Sequence, residues 1–315
     1  MDASFGAKSS SVWTTVFRGP LETFQIVRPD VVRRAARGRN GAMRDMMCSF
    51  HTTSGVMPGG PAASRFPLAE RLNACAAAGY AGYWLHWRDY LEQRARGMDD
   101  AGLRRAFDEA GMRHRGVEFL AGWFLYGDAA AAEAERASFD AANAIGALTV
   151  NVGADFERRG FSRAHMTDRF AALCERAAVR GLRIGLEIVP WSDVADIDAA
   201  LAFLDPPNAG LVIDTWHVFR GGIPLAELAR IPADRVFCIQ VNDAAAVPDG
   251  PLPEETARRL LCGEGGLDLA GFAAAVDANG WQAPLSVEVI SPRLAAMLLQ
   301  EAAGLSFDTA RRAFV

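Results

Sequence analysis

RIGLEIVP (183–190), GLVIDTWH (210–217), VFCIQVND (236–243) and LSVEVIS (285–291) are four apolar runs, and each has a polar residue near its end: Glu187, Asp214, Gln240 and Glu288. Side chains alternate across a strand. Ile184, Leu186 and Ile188 therefore share one face, and Gly185 and Glu187 share the other. The split recurs, with Leu211 and Ile213 against Val212 and Asp214, and with Phe237, Ile239 and Val241 against Cys238 and Gln240. Leu285, Val287 and Val289 likewise oppose Ser286 and Glu288. In a parallel barrel wrapped by helices the bulky set faces the helices and the polar set faces the axis. The four polar side chains then converge on one point.

A single acid at a strand end reads equally well as a helix cap or as the partner of an arginine. The set is harder to explain that way. Three carboxylates about 4 Å apart repel by roughly 4 kcal/mol per pair at an effective dielectric near 20, which equals about three pKa units. Either protons are taken up or a counter-charge is present, and a bound dication supplies one at once.

Outward from these runs, a strand-then-helix rhythm begins at residue 46 and continues to the end of the chain. Strands are expected near 46–51, 80–86, 113–119, 147–152, 182–188, 209–214, 235–241 and 284–290. Helical patterns lie between them, including LAERLNACAAAG (68–79), AGLRRAFDEAG (101–111), RFAALCERAAVRG (169–181) and LAGFAAAVDANG (269–280), and several end in the glycine that a helix C-cap prefers. Eight such units over about 245 residues predict an α/β fold, a (β/α)8 TIM barrel, as one catalytic domain over 46–315. A doubly wound sheet would normally bring a nucleotide fingerprint. CGEGG (262–266) has neither the GxGxxG spacing nor a following lysine, and reads as a turn.

Residues 1–45 differ from the rest, Ser-rich at first and then basic, with Arg18, Arg28, Arg33, Arg34, Arg37, Arg39 and Arg44. They are expected to form a poorly ordered amino-terminal extension, read alternatively as a transit peptide or as the product of an upstream start, with Met43, Met46 and Met47 as alternatives. Half of the 315 residues are hydrophobic and 23% are charged, the profile of a globular protein with a large core. A net charge of −5 lacks the basic footprint of a nucleic-acid binder. The five dispersed cysteines, with no CxxC pair, read as reduced core thiols of a cytoplasmic protein. No apolar stretch is long enough to span a membrane, and no secretory h-region is present. Lys8 is the only lysine, which excludes Schiff-base aldolases and pyridoxal-phosphate enzymes from the barrel's chemistry.

EIVP, VIDTWHVFRGG (212–222), IQVNDA (239–244), CGEGGLDL (262–269) and LSVEV (285–289) resemble, in that order, the sugar phosphate isomerase/epimerase family of xylose isomerase-like barrels. The resemblance covers most of 46–305 and is most specific in the second half. It implies a metal held by Glu187, Asp214, Gln240 and Glu288. Glutamine in the third place is similar to inosose isomerases and dehydroshikimate dehydratases, whereas many ketose epimerases carry histidine there. His217, in the family's Asp-x-x-His, is implied as a substrate contact, as is Arg259 ahead of the CGEG turn. Cys262 replaces the family's usual proline and predicts a looser turn. Arg220 would bind the same ligand or pair with a surface acid. His51 and Glu118 would line the cavity, and His86, Trp87, Trp123 and Trp191 would wall it or belong to the core. Glu264 would reach the rim or fix its loop, and His114 and His165 read as surface residues.

Oxygen ligands suit Mn²⁺ first, with Mg²⁺, Co²⁺ or Zn²⁺ as alternatives. The expected activity is isomerisation or epimerisation of a sugar or keto-polyol by α-proton transfer, with Glu187 and Glu288 as catalytic carboxylates and an enediolate between them. Loss of a β-hydroxyl in the same site makes a dehydratase on a cyclic keto-polyol, dehydroshikimate-like substrate or 3-keto-glycoside. A metal-dependent apurinic endonuclease and a non-catalytic sugar-binding barrel are the other readings. The first needs a histidine cluster and a basic face that the sequence lacks. Barrels of this kind often associate through their helices, so a homodimer is expected.

Overall fold

The computed structural model describes residues 44–61 and 63–314. Eight parallel strands close into a barrel in sequence order: β1 (Met46–Cys48), β2 (Gly82–His86), β3 (His114–Leu120), β4 (Thr149–Val152), β5 (Arg183–Glu187), β6 (Ala209–Asp214), β7 (Val236–Val241) and β8 (Leu285–Val287). This is the TIM barrel expected from the runs. β1 pairs with both β2 and β8 and so leaves no edge. β8 ends at Val287, which leaves Glu288 just beyond the strand with its N–H still bonded to Val241 O at 3.1 Å.

Alternation places the core as predicted. Ile184, Leu186, Leu211, Ile213, Ile239, Val241, Leu285 and Val287 belong to the large core shared with the helices. Met47, Trp84, Val212 and Cys238 form a separate small cluster, the apolar plug inside the barrel. Trp84 lies over Gly116, where a Cβ would sit only 2.2 Å from the indole, so this strand position accepts no side chain. Phe237 departs from the expected parity. Val236 pairs with Leu211 and Cys238 with Val212, so Phe237 is an extra, bulged residue. Its ring turns towards Gly210, where a Cβ would be 2.5 Å away, and lies 4.4 Å from the Arg183 guanidinium.

Helices expected at 68–79, 101–111, 169–181 and 269–280 occupy Leu68–Ala78, Asp100–Glu109, Arg163–Ala178 and Leu269–Ala278. Three of the four start on a side-chain cap: Asp99, Ser162 and Asp268 accept from the backbone N–H of Gly102, His165 and Gly271. The first of them ends at Gly79 with φ of 112°, a left-handed position that other residues adopt only with strain. Between this helix and β2, Arg71 is fully buried and neutralised by Asp89 at 2.5 Å. It also donates to Tyr83 Oη at 2.9 Å and Phe66 O at 3.1 Å, while Gln93 donates to the other oxygen of Asp89 at 3.2 Å.

Arg44 and Asp45 are part of the barrel, not of a loose extension. Arg44 pairs with Asp277 at 2.7 Å, Asp45 pairs with Arg113 and His114 at 2.8 Å each, and Asp45 O accepts from Leu285 N. The rest of the expected extension, 1–43, lies outside the described residues. All five cysteines are buried free thiols. Among the described residues, no helix is long and apolar enough to cross a membrane.

Candidate active site

The four expected ligands stand at the carboxyl end of the barrel, where this fold places its chemistry. Glu187 ends β5, Asp214 ends β6, Gln240 lies opposite Asp214 in β7, and Glu288 follows β8. All four are buried.

Asp214 does the work of the cap and of the arginine partner as well as standing in the set. Its Oδ1 accepts from the N–H of Trp216 at 2.7 Å and of His217 at 3.3 Å, capping the helix Thr215–Arg220. Asn242 Nδ2 donates to both oxygens at 3.1 Å, and Arg259 Nη1 donates to Oδ2 at 2.8 Å. The same Nη1 donates to Glu288 Oε2 at 2.7 Å. Glu187 is fixed from the other side: Oε2 accepts from Asn151 Nδ2 at 2.8 Å, and Oε1 lies 3.0 Å from His217 Nε2. The sequence reading missed Asn151 and Asn242. Both were available to it, because Asn151 has inward parity in β4 and Asn242 stands two residues after Gln240.

Gln240 is fully buried, yet neither atom of its amide has a hydrogen-bond partner. Such orphaned groups cost about 1–3 kcal/mol each, and native proteins retain few without a reason. Nearby, one ligand atom each of Glu187, Asp214 and His217 lie within 4.8 Å of one another. Ionised together, Glu187, Asp214 and Glu288 carry three negative charges against the one positive charge of Arg259, leaving a formal −2. These residues fit a divalent ion, which would take up the idle Gln240 carbonyl and cancel the excess charge. His217, expected only as a substrate contact, is placed to be a further donor.

The electrostatics follow from this imbalance. Burial pushes Asp214 up, but Arg259, His217 and Asn242 outweigh it and hold the carboxyl below its ordinary value. For Glu288 burial prevails over Arg259, and with Glu187 and Asp214 adding to it the carboxyl rises well above the usual range. Burial drives Glu118 up to about 8 against the stabilising N–H of Phe50, and Glu187 raises it further.

A cavity of about 300 Å³ opens over these groups. Glu187, His217, Arg259 and Glu288 line one side, and His51, His86 and Glu118 the other, with Trp191 among the apolar walls. Burial holds His51 down to about 4 and His86 down to about 3, so both are neutral near neutral pH. Trp87 and Trp123 are not in the wall; Trp87 Nε1 donates to Phe119 O, and Trp123 is packed in the core with Nε1 on Gly153 O.

Arg220 does not reach the cavity, which corrects its expected role. Its guanidinium pairs with Glu255 at 2.5 Å and donates to Ala245 O at 2.7 Å. The acid is buried rather than on the surface. Trp216, fully buried, has the guanidinium carbons of Arg220 and Arg259 at 5.8 and 5.7 Å from its ring, with Trp191 edge-on at 5.8 Å. The CGEGG turn is not loose either. Asp243 accepts from the N–H groups of Ala244, Gly263, Gly265 and Leu267, which pins the turn beside Arg259 without a proline. Glu264 faces Arg293 at 2.8 Å and fixes the loop's outer side.

Residues 72–308 match the family described as xylose isomerase-like TIM barrel. A 3-dehydroshikimate dehydratase of Pseudomonas aeruginosa is 32% identical over 235 residues, 71% of this chain and 36% of that protein. An inosose isomerase of Bacillus subtilis is 27% identical over 140 residues, 43% of this chain and 50% of the isomerase. The chain therefore spans only part of the curated relatives it matches. Among solved structures, the IOLI protein with a binding zinc atom superposes with a TM-score of 0.72 at 17% identity, covering 86% of this chain and 98% of that one, a likeness of fold. With the closed barrel and a family match over most of its length, the chain belongs to the xylose isomerase-like TIM barrels.

Proposed function

We propose that this barrel is a divalent-metal-dependent enzyme that removes the proton α to the carbonyl of a small polyhydroxylated ketone, and that its reaction is dehydration of a cyclic substrate of the 3-dehydroshikimate class. The observation that carries the reading is the buried, unpaired Gln240 amide beside an unbalanced set of carboxylates at the cavity floor. An ion held by Glu187, Asp214, Gln240 and Glu288 would withdraw electrons from a substrate carbonyl and make the neighbouring C–H acidic. Manganese suits these oxygen donors first; a zinc ion would be favoured if His217 also ligates.

The chain's own residues supply the rest. Asn151 and His217 hold Glu187 from two sides, so its carboxylate keeps one orientation and takes the α-proton. Arg259 keeps Glu288 facing the same space from β8. Trp191 and the other apolar walls exclude water from the ring face of the substrate. Dehydration is favoured over isomerisation because the similarity to the dehydratase extends over 71% of this chain, against 43% for the inosose isomerase. Isomerisation is the second reading, supported by that latter similarity and by Glu288, which would return a proton to the neighbouring carbon.

Incubation of the manganese-loaded protein in deuterated solvent with 3-dehydroshikimate and with a keto-inositol tests both. Wild type is expected to exchange the α-proton, and Glu187→Gln to lose at least about 100-fold of that exchange. Exchange that survives in Glu187→Gln removes this residue as the base, and a protein with neither bound metal nor exchange removes the function.

A further inference from the structure

Glu118 is the one buried carboxyl of the cavity that is neither paired with a cation nor counted among the ligands. It projects from β3, on the wall opposite Glu187 and Glu288. Its Oε1 accepts from the backbone N–H of Phe50 at 2.7 Å. Its Oε2 has no partner, although the residue is only 3% exposed and lines the cavity. One oxygen is thus clamped by the backbone, and the other has no hydrogen-bond partner in a residue that lines the cavity. Arg259 is the cation that favours a charge there, but it is already engaged by Asp214 and Glu288, and burial prevails over it. The cavity's other arginine, Arg88, is solvent-exposed at its lining. Glu187 adds negative charge, Cys48 and Cys238 are buried thiols, Ser49 offers only a neutral hydroxyl, and His51 and His86 are neutral imidazoles. Burial accordingly raises the carboxyl to about 8 in the metal-free protein, and the unpartnered Oε2 is the oxygen that can carry the proton.

We propose that Glu118 is the general acid of the reaction, delivering its proton to the hydroxyl that departs from the carbon β to the carbonyl. The inference deepens the proposed dehydration and rests on it. The balance is complete without a further reactant. Glu187 takes the α-proton, the C–H electron pair becomes the new C=C bond, and the C–O bond breaks with its pair on oxygen. The departing oxygen takes the Glu118 proton and leaves as water. Solvent then carries the proton from Glu187 back to Glu118.

The acid acts after the α-proton has left, so exchange and elimination should separate in its variants. In Glu118→Gln, with 3-dehydroshikimate as probe, α-proton exchange is expected within a few-fold of wild type while dehydrated product falls about 100-fold. The drop should appear in kcat rather than KM, and Glu118→Asp should recover part of it. Wild-type kcat is expected to fall on the alkaline side as this acid ionises, and that limb should vanish in the residual activity of Glu118→Gln. A substrate-independent readout is the infrared difference between wild type and folded Glu118→Gln at neutral pH, which should contain one protonated-carboxyl band beyond any from Glu288 that both proteins share. Product formation at the wild-type rate in Glu118→Gln overturns the assignment, as does loss of exchange and product in equal measure. Wild type that neither exchanges nor dehydrates fails at the earlier step, and overturns the functional reading together with this one.

Discussion

The barrel buries two arginines almost completely, Arg71 and Arg259, and surrounds them differently. Arg71 meets one carboxylate, Asp89, and the remaining donors and acceptors of the pair find a tyrosine hydroxyl, a backbone carbonyl and a glutamine. Charge and hydrogen bonds balance there. Arg259 meets Asp214 and Glu288 with Glu187 close by, its Nε has no partner, and an unpaired glutamine amide stands near. A closed ion pair is a structural joint. An open one, with charge and hydrogen-bonding capacity left over, is what the proposed ion would complete.

Substitution breaks this contrast most directly. Arg71→Met leaves Asp89 buried and unpaired and should destabilise the fold by about 3–5 kcal/mol, with no recovery when divalent ions are added. Arg259→Met also destabilises the metal-free protein, but manganese should restore much of the loss, since the ion replaces the missing positive charge. At an ion concentration about 100 times the Kd the gain is about 2.7 kcal/mol. Urea unfolding with and without manganese reads both variants; equal rescue of the two ends the distinction.

A smaller effect separates the anchoring of Arg259 from its charge. Asp243→Ala removes the acceptor of four backbone N–H groups and should cost about 2–3 kcal/mol, releasing the 262–266 turn. Hydrogen exchange at Gly263, Gly265 and Leu267 should accelerate while the amides around Arg71 stay protected.

Smallest is the acid response of the neutral wall. His51 and His86 have folded-state values of about 4 and about 3, below the ordinary 6.5. The unfolded chain therefore binds more protons as pH falls below 6.5. Their stabilising contribution is full above that point and is lost towards about 4, by at most about 1.4 kcal/mol per pH unit for each histidine. His51→Gln and His86→Gln should each flatten the fall in unfolding midpoint between those limits, and an unchanged slope would show that the imidazoles titrate freely.

Much of this arrangement was legible in the chain because strand alternation is a local property. Glu187, Asp214, Gln240 and Glu288 announced themselves as polar residues on an otherwise small or apolar inward face, and eight strand-helix units announced the barrel. Phe237 was misplaced because a bulge depends on the register with β6, which periodicity within one run does not contain. Arg220 and Arg259 looked alike until their acids were known. Glu255 lies 35 residues from Arg220 in sequence, and only the folded chain brings them together. The clasp of Asp243 on the CGEGG turn is of the same kind, a contact between residues 20 apart in sequence. Glu118 was visible as a strand-end acid, but that one of its oxygens is clamped and the other free is information that belongs to the backbone of Phe50.

The position of Trp216 has a practical consequence. Its indole lies between the guanidinium groups of Arg220 and Arg259 and touches the edge of Trp191, so its emission spectrum is set by the local electric field. Arg220 is tied to Glu255, whereas the partners of Arg259 are the carboxylates that an arriving cation would engage. If the proposed cation binds, the emission difference between wild type and Trp216→Phe, which isolates this indole from the other six tryptophans, should shift on titration without an added dye.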